Sequence, residues 1–108
     1  MVDAKFHNYP DGGISMVLRG HAGSAPRGED LVCAAVSILV YTAAEAVLDA
    51  AAVGKLAQPP QILMKEGFAA ITARPVQKAR PQVVQVFRLV QRGLSILARQ
   101  FPDSVQVR

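Results

Sequence analysis

GHAGSAPRGEDLVCAAVS, residues 20–37, joins a loop to a helix and decides how the rest of the chain is arranged. Its first half is rich in glycine and contains a proline, so residues 22–28 are predicted to form a loop that is free to move. Asp30 is a favourable N-cap residue, and a helix is predicted to begin there. This arrangement places His21 at the start of the loop and Cys33, the single cysteine, in the first turn of the helix.

The helix that begins near Asp30 is predicted to end at about Val53, because Gly54 supplies a stop signal. Apolar side chains recur on one side of it at steps of three and four, which predicts a buried face. The residues of that face are Val32, Val36, Leu39, Val40, Ala43, Val47 and Ala50.

Upstream of the loop, the first nineteen residues predict a β-hairpin. Apolar side chains alternate with polar ones in both strands, the pattern of a half-buried strand. The alternating apolar residues are Val2, Ala4 and Phe6 in the first strand, and Ile14, Met16 and Leu18 in the second. Residues 8–13 between them form a strong turn signal. The second strand ends at Gly20 and is expected to deliver His21 to the edge of the sheet.

Downstream of the first helix, residues 62–65 and 68–73 are predicted to form two strands joined by a tight turn at residues 66–67. Residues 105–107 predict a closing strand. A second, amphipathic helix begins near Pro81, a residue suited to a first helical turn. Its apolar residues are Val83, Phe87, Val90, Leu94, Leu97 and Phe101. The order ββαββαβ predicts an α/β protein of the α+β type, with an antiparallel or mixed sheet covered by two helices.

Length and composition predict a single domain over residues 1–108. About half of the residues are apolar, enough for one hydrophobic core without disulfides or metals. The longest uncharged run, residues 31–44, is shorter than a bilayer span, and the first nine residues do not resemble a signal peptide. A lone cysteine cannot form an intramolecular bridge. We therefore expect a soluble, cytoplasmic protein with no disulfide.

Cys33 and His21 are the candidate nucleophile and general base. A thiol attacks as its thiolate, which the partial positive charge of a helix N-terminus favours. An imidazole beside the thiol can take its proton and hold the charge as an ion pair. His21 precedes Cys33 by twelve residues, and a loop of that length can fold back over the helix end. On spacing alone, however, a lone cysteine among Val32, Ala34 and Ala35 is more often a small buried apolar residue.

Helix geometry adds Asp30 and Ser37 as supporting candidates, since residues three and four apart share a face with Cys33. Asp30 is predicted to cap the helix and could also orient His21, although its charge opposes a thiolate nearby. Ser37 could donate a hydrogen bond to the thiolate or bond back to the carbonyl group of Cys33. Free N–H groups around Cys33 could form an oxyanion hole.

The same residues resemble the signature of the ribosomal-processing cysteine protease Prp family. That signature is a Gly-His pair, a short flexible loop and then Gly-x-Asp-x-Val-Cys-Ala-Ala-Val-Ser on a helix. It is matched here from Gly20 and His21 through Gly28 and Asp30 to Ser37. The resemblance extends more weakly over the remainder of the chain, through the order of the elements.

The resemblance implies a cytoplasmic bacterial endopeptidase that forms a homodimer. Such an enzyme removes a short N-terminal extension from a large-subunit ribosomal protein, and needs no cofactor. By position, Cys33 would be the nucleophile and His21 the general base. Asp30 and Ser37 would support them, Gly20 and Gly28 would act as loop hinges, and an apolar groove would lie near Cys33.

A different class of function stays open beside the protease. Lys and Arg exceed Asp and Glu by 12 − 8 = 4, which favours approach to anionic partners. The second helix carries Arg88, Arg92 and Arg99 on its polar face, and these could contact phosphates in a non-catalytic RNA-binding or ribosome-binding module. One cysteine and two histidines provide too few ligands for a structural zinc site, so no metal is predicted.

Overall fold

The N-terminal hairpin forms two of the three inner strands of the sheet. In the computed structural model, which describes residues 1–21 and 30–108, β1 spans Val2–Asn8 and β2 spans Ile14–Arg19. Gly12 adopts a φ of +91°, so glycine suits this turn. Hydrogen bonds from the Gly13 N–H group and the Arg74 side chain hold the pKa of the Asp11 carboxyl below its ordinary value. The two strands are thereby joined by an anchored turn, as predicted.

Three further strands complete a mixed sheet. β3 (Gln61–Lys65) and β4 (Phe68–Ala73) form a second hairpin, and β5 (Val105–Val107) closes the chain. The strand order is β3-β4-β2-β1-β5, with β5 parallel to β1 and the other neighbouring pairs antiparallel. The predicted ββαββαβ order and the mixed sheet are confirmed. Because β2 occupies the centre, His21 follows a central strand, and the expectation of an edge position was wrong.

Two helices cover one face of this sheet. α1 (Leu31–Ala52) packs over β4, and α2 (Arg80–Gln100), which follows a short 3₁₀ turn at Gln77–Ala79, packs over β2 and β5. The core between the layers contains the predicted apolar faces of both helices; its largest fully buried side chains are Phe87, Met16, Ile71 and Leu94. Phe101 was predicted to join that core but follows the last turn of α2 and is 43% exposed.

The helices approach each other closely where α2 carries a glycine. A Cβ atom on Gly93 would lie 2.8 Å from a terminal methyl carbon of Leu39 in α1. Small residues at such a crossing let two helix backbones pack at short range. This contact fixes α1 against α2, and with it the position of the first turn of α1.

α1 is also the most apolar element of the chain. By length and composition it could cross a membrane: an 18-residue stretch of it has a mean hydropathy of 2.1. One third of that stretch is buried in this fold. The core helix of a soluble protein has the same composition. Since the Val32, Val36, Val40 and Val47 side chains pack into the core, we interpret α1 as a core helix.

Candidate functional site

Cys33 lies in the first turn of α1, and Asp30 holds that turn in place. The Asp30 side chain accepts hydrogen bonds from the N–H groups of Val32 (2.9 Å) and Cys33 (3.1 Å). Its backbone carbonyl accepts the N–H of Ala34 at 3.1 Å. Asp30 is therefore the predicted N-cap, and it is buried at 8% exposure. The cap fixes the sulfur-bearing residue within the turn where the helix dipole is felt.

The same hydrogen bonds limit one expectation about the site. Free N–H groups around Cys33 were expected to form an oxyanion hole. Those of Val32, Cys33 and Ala34 are already engaged by Asp30. These three groups therefore stabilise the helix end, and the expectation was wrong for them.

His21 follows the end of β2, where two backbone segments meet. The Gly20 N–H group donates a hydrogen bond of 2.9 Å to the carbonyl oxygen of Gly67, in the turn between β3 and β4. Gly20 has a φ of +98°, and a Cβ atom there would overlap the Met1 carbonyl oxygen. Only glycine fits this position, so the structure gives Gly20 a packing role; its predicted role as a hinge stays a prediction.

Gly67 is a residue of the site that the sequence reasoning missed. It adopts a φ of +74°, and a Cβ atom there would lie 2.9 Å from Nε2 of His21. The imidazole ring thus lies directly against the space that a side chain would fill. The sequence predicted that Gly67 lies in the turn between two strands. It contained no indication that this turn lies against His21.

One cavity brings the candidate residues together. It has a volume of about 420 Å³ and is lined by His21, Cys33 and Ser37, with Gly20 and Gly67 at the same end. Cys33 is half-buried, packs against the core and also lines this cavity, whereas His21 is exposed. The interpretation of Cys33 as a small buried apolar residue is therefore not favoured.

The walls of this cavity are largely apolar. α1 contributes Val36, Val40 and Tyr41, and the sheet contributes Leu18 and Met64. Two polar residues, Lys65 at the end of β3 and Glu66 in the β3–β4 turn, line the same cavity. The predicted apolar groove near Cys33 is present, and its size suits side chains of a peptide rather than an ion.

The other predicted residues fall into three groups. Ser37 is exposed, lies one turn after Cys33 and lines the cavity. A hydrogen bond between Asp30 and His21 stays a prediction. Gly28 lies outside the described residues. The arginines Arg88, Arg92 and Arg99 are exposed on α2 and do not line the cavity, and His7 is an exposed residue of β1, as predicted.

Comparison with known proteins places this geometry in context. The family model described as cysteine protease Prp matches residues 1–106. Two similar solved structures are of an essential ribosomal processing protease Prp from S. aureus. The one with a covalently linked product peptide has a TM-score of 0.75, and the one with a substrate peptide has a TM-score of 0.69. In both, the identity is 16%, and the match covers 100% of this chain and 98% of the other.

A third similar structure is that of SMU.848 from Streptococcus mutans. It has a TM-score of 0.65 and 27% identity, and the match covers 100% of this chain and 92% of that one. A sequence comparison with curated proteins gives no match. The shared fold thus extends over the whole chain, including the elements that carry His21 and Cys33.

Replacing Gly67 is predicted to disturb His21. In Gly67→Ala the new methyl group would push the imidazole out of place, and a displacement of about 1 Å can cost roughly 10²-fold in turnover. Gly54→Ala is the matched control, since Gly54 has nearly the same φ, +76°, with nothing within 4 Å of an added Cβ atom. Both variants are expected to lose about 1–2 kcal/mol of stability from backbone strain.

Thermal unfolding and the rate of peptide cleavage by the two variants test this prediction. Only Gly67→Ala should lose cleavage activity at temperatures where both variants are folded. Equal activity in the two variants would contradict a role for Gly67 in positioning His21.

Removing the cap is predicted to destabilise the protein. Asp30→Ala leaves the N–H groups of Val32 and Cys33 without their acceptor and should cost about 1 kcal/mol. Asp30→Asn, which keeps a side-chain oxygen at the same place, should retain most of that stability. Urea unfolding of the three proteins gives the values, and an Asp30→Ala midpoint equal to the wild type would refute the prediction.

Proposed function

Because the chain belongs to the cysteine protease Prp family and is a cysteine protease, we propose that it is an endopeptidase with Cys33 as nucleophile and His21 as general base. The observation that carries this proposal is the shared cavity, which exposes the Cys33 residue of a capped helix N-terminus and the His21 imidazole to the same space. We propose as its substrate the short N-terminal extension of a large-subunit ribosomal protein. Two structural neighbours from S. aureus are ribosomal processing proteases, which supports this choice.

The chemistry proceeds in two stages. His21 takes the thiol proton, and the Cys33 sulfur attacks the carbonyl carbon of the scissile bond. As the carbon–nitrogen bond breaks, the imidazolium gives its proton to the leaving amine, and a thioester remains on Cys33. Water, deprotonated by His21, then attacks the thioester, which releases a carboxylic acid and regenerates the thiol.

The apolar cavity fits this substrate class. Apolar side chains of a substrate peptide would be buried against Val36, Val40 and Met64, gaining about 25 cal/mol for each Å² removed from water. A peptide of that character gains affinity from the walls themselves. Lys65, the last residue of β3, also lines the cavity and would contact polar groups of the peptide.

Mass spectrometry of large-subunit ribosomal proteins incubated with the enzyme tests the function. Wild-type protein should remove a short N-terminal segment from one of them. Cys33→Ala should abolish the cleavage and leave thermal unfolding unchanged. His21→Ala should lower the rate by roughly 10²–10⁴-fold, the usual contribution of a general base.

His7→Ala is the matched control, since His7 is the other histidine and lies in β1, outside the residues that line the cavity. It should cleave at the wild-type rate. Undiminished cleavage by Cys33→Ala would end the proposal, and an equal loss in both histidine variants would remove His21 from the mechanism.

We also propose that the protein is cytoplasmic and forms a homodimer through the outer side of α1. Ribosomal proteins are made in the cytoplasm, where such a substrate would be met. Three large apolar side chains of α1 lie exposed and do not line the cavity: Leu31 (84%), Ile38 (62%) and Leu48 (50%). Large exposed apolar side chains grouped on one helix are typical of an interaction site. Contact between RNA and the basic face of α2 stays a prediction.

The dimer is tested by light scattering after gel filtration. Ile38→Glu places a carboxylate among the exposed apolar side chains of α1. This variant should be a monomer, because burying a carboxylate against an apolar partner is costly. Gln85→Glu adds the same charge at an exposed position of α2 and should leave the mass unchanged. A wild-type mass equal to one chain would refute the dimer.

A further inference from the structure

β3 forms one edge of the sheet. It pairs with β4 on one side, and within residues 1–21 and 30–108 no other strand pairs with it. An edge strand presents a row of backbone N–H and C=O groups that can bind another extended chain. β3 is also short and carries a lysine at its end, features that limit uncontrolled pairing.

The hairpin register identifies which groups face outward. Lys65 pairs with Phe68 across the two-residue turn, and the pair that flanks such a turn exchanges hydrogen bonds. Bonded and non-bonded pairs alternate along an antiparallel ladder, so Leu63 bonds to Ala70. Ile62 and Met64 fall between the bonded pairs. Their N–H and C=O groups therefore point away from β4, toward the free edge.

This edge is continuous with the cavity. Met64 and Lys65 belong to β3, and both line the same space as Cys33. On the other side of that space, α1 contributes Ser37 and Tyr41. A peptide lying along the free edge of β3 would pass Met64 and Lys65, which line the cavity together with Cys33.

We propose that the substrate binds as an added strand on the free edge of β3, with backbone hydrogen bonds to Ile62 and Met64. This inference rests on the proposed protease function and specifies how its peptide is held. Residues opposite Ile62 and Met64 place their side chains on the helix-covered face, because directly opposed residues share a face. Of the two, the side chain opposite Met64 faces the apolar cavity, which Met64 lines. The alternate residues of the peptide lie on the open face, beside Leu63 and Lys65.

The binding mode explains how a small domain could hold a flexible protein tail. Main-chain hydrogen bonds supply affinity that does not depend on side-chain identity, and the cavity selects every second side chain. Extension of the peptide also presents its carbonyl groups in sequence, so one register brings one peptide bond to Cys33. The selected substrate is thus an extended, unstructured N-terminal segment with apolar residues at alternate positions before the cut.

A backbone N-methyl scan of the peptide substrate tests the proposal. Each residue before the scissile bond is N-methylated in turn, and kcat/KM is measured with wild-type enzyme. The expected result is a two-residue period, with roughly tenfold losses at amides that donate to β3, the size of one lost hydrogen bond. Uniform losses, or losses confined to the residues next to the scissile bond, would overturn the added strand.

Hydrogen exchange gives an independent readout. The unmodified peptide, added to Cys33→Ala protein, should slow exchange of the Ile62 and Met64 amides and leave that of Leu63 unchanged, because Leu63 already bonds to β4. If the peptide binds without slowing exchange of the Ile62 and Met64 amides, the added strand is overturned. Cleavage of the same peptide by wild-type enzyme would still support the proposed function. A peptide that is neither cleaved by the wild type nor bound by the variant overturns both.

A pair of variants separates backbone from side chain. Ile62→Pro and Ile62→Ala both lose the isoleucine side chain, but only proline removes the outward N–H group, and edge strands tolerate proline. KM for the peptide should rise about tenfold more in Ile62→Pro than in Ile62→Ala. Equal KM values in two folded variants would argue against a hydrogen bond at this amide; if Ile62→Pro fails to fold, the N-methyl scan decides.

Discussion

The hydrogen bond from the Gly20 N–H group to the Gly67 carbonyl oxygen determines where a site can form. It joins the end of the central strand to the turn of the second hairpin at 2.9 Å. The chain leaves the sheet after Gly20, and His21 is the first residue with a side chain beyond that point. Both glycines have positive φ values, so the backbone path at this junction tolerates no ordinary residue without strain. The imidazole position follows from the backbone.

The second component, the N-terminus of α1, is brought to this junction by packing. The valine stripe of α1 holds the helix over the sheet, and the close approach of Gly93 to Leu39 holds it against α2. Asp30 then fixes the first turn through two hydrogen bonds. Cys33 lies near the core-facing side of α1, where it packs against the core and also lines the cavity. The cap has a cost, since its carboxylate opposes an anion on Cys33. It also occupies N–H groups that an oxyanion would otherwise use.

Much of this could be predicted from sequence because the signals were local. Alternating apolar residues defined β1 and β2, three-and-four spacing defined both helices, and Asp30 was recognisable as a cap. The family signature added the expectation that His21 pairs with Cys33, and the structure places both residues on one cavity. Three features depended on tertiary contacts and could not be read locally. Gly67 appeared as a turn residue with no sign of its contact with His21. Phe101 fitted the helical period but fell after the helix end, where it is exposed. The central place of β2 followed from strand order, which no single segment encodes.

The placement of the cavity links these parts to substrate choice. Cys33, which is half-buried, and His21, which is exposed, line one cavity, and on the added-strand proposal a peptide reaches them in extended form. The walls that would receive such a peptide are a helix with small and apolar side chains on one side and an edge strand on the other. A cleft of this kind selects peptides by two requirements. The first is an extended backbone conformation, and the second is the character of the side chains. Under the proposed function, an unstructured N-terminal extension would meet the first requirement, and alternate apolar residues would meet the second. Selectivity of this type needs few specific polar contacts, which agrees with a cavity whose walls are largely apolar.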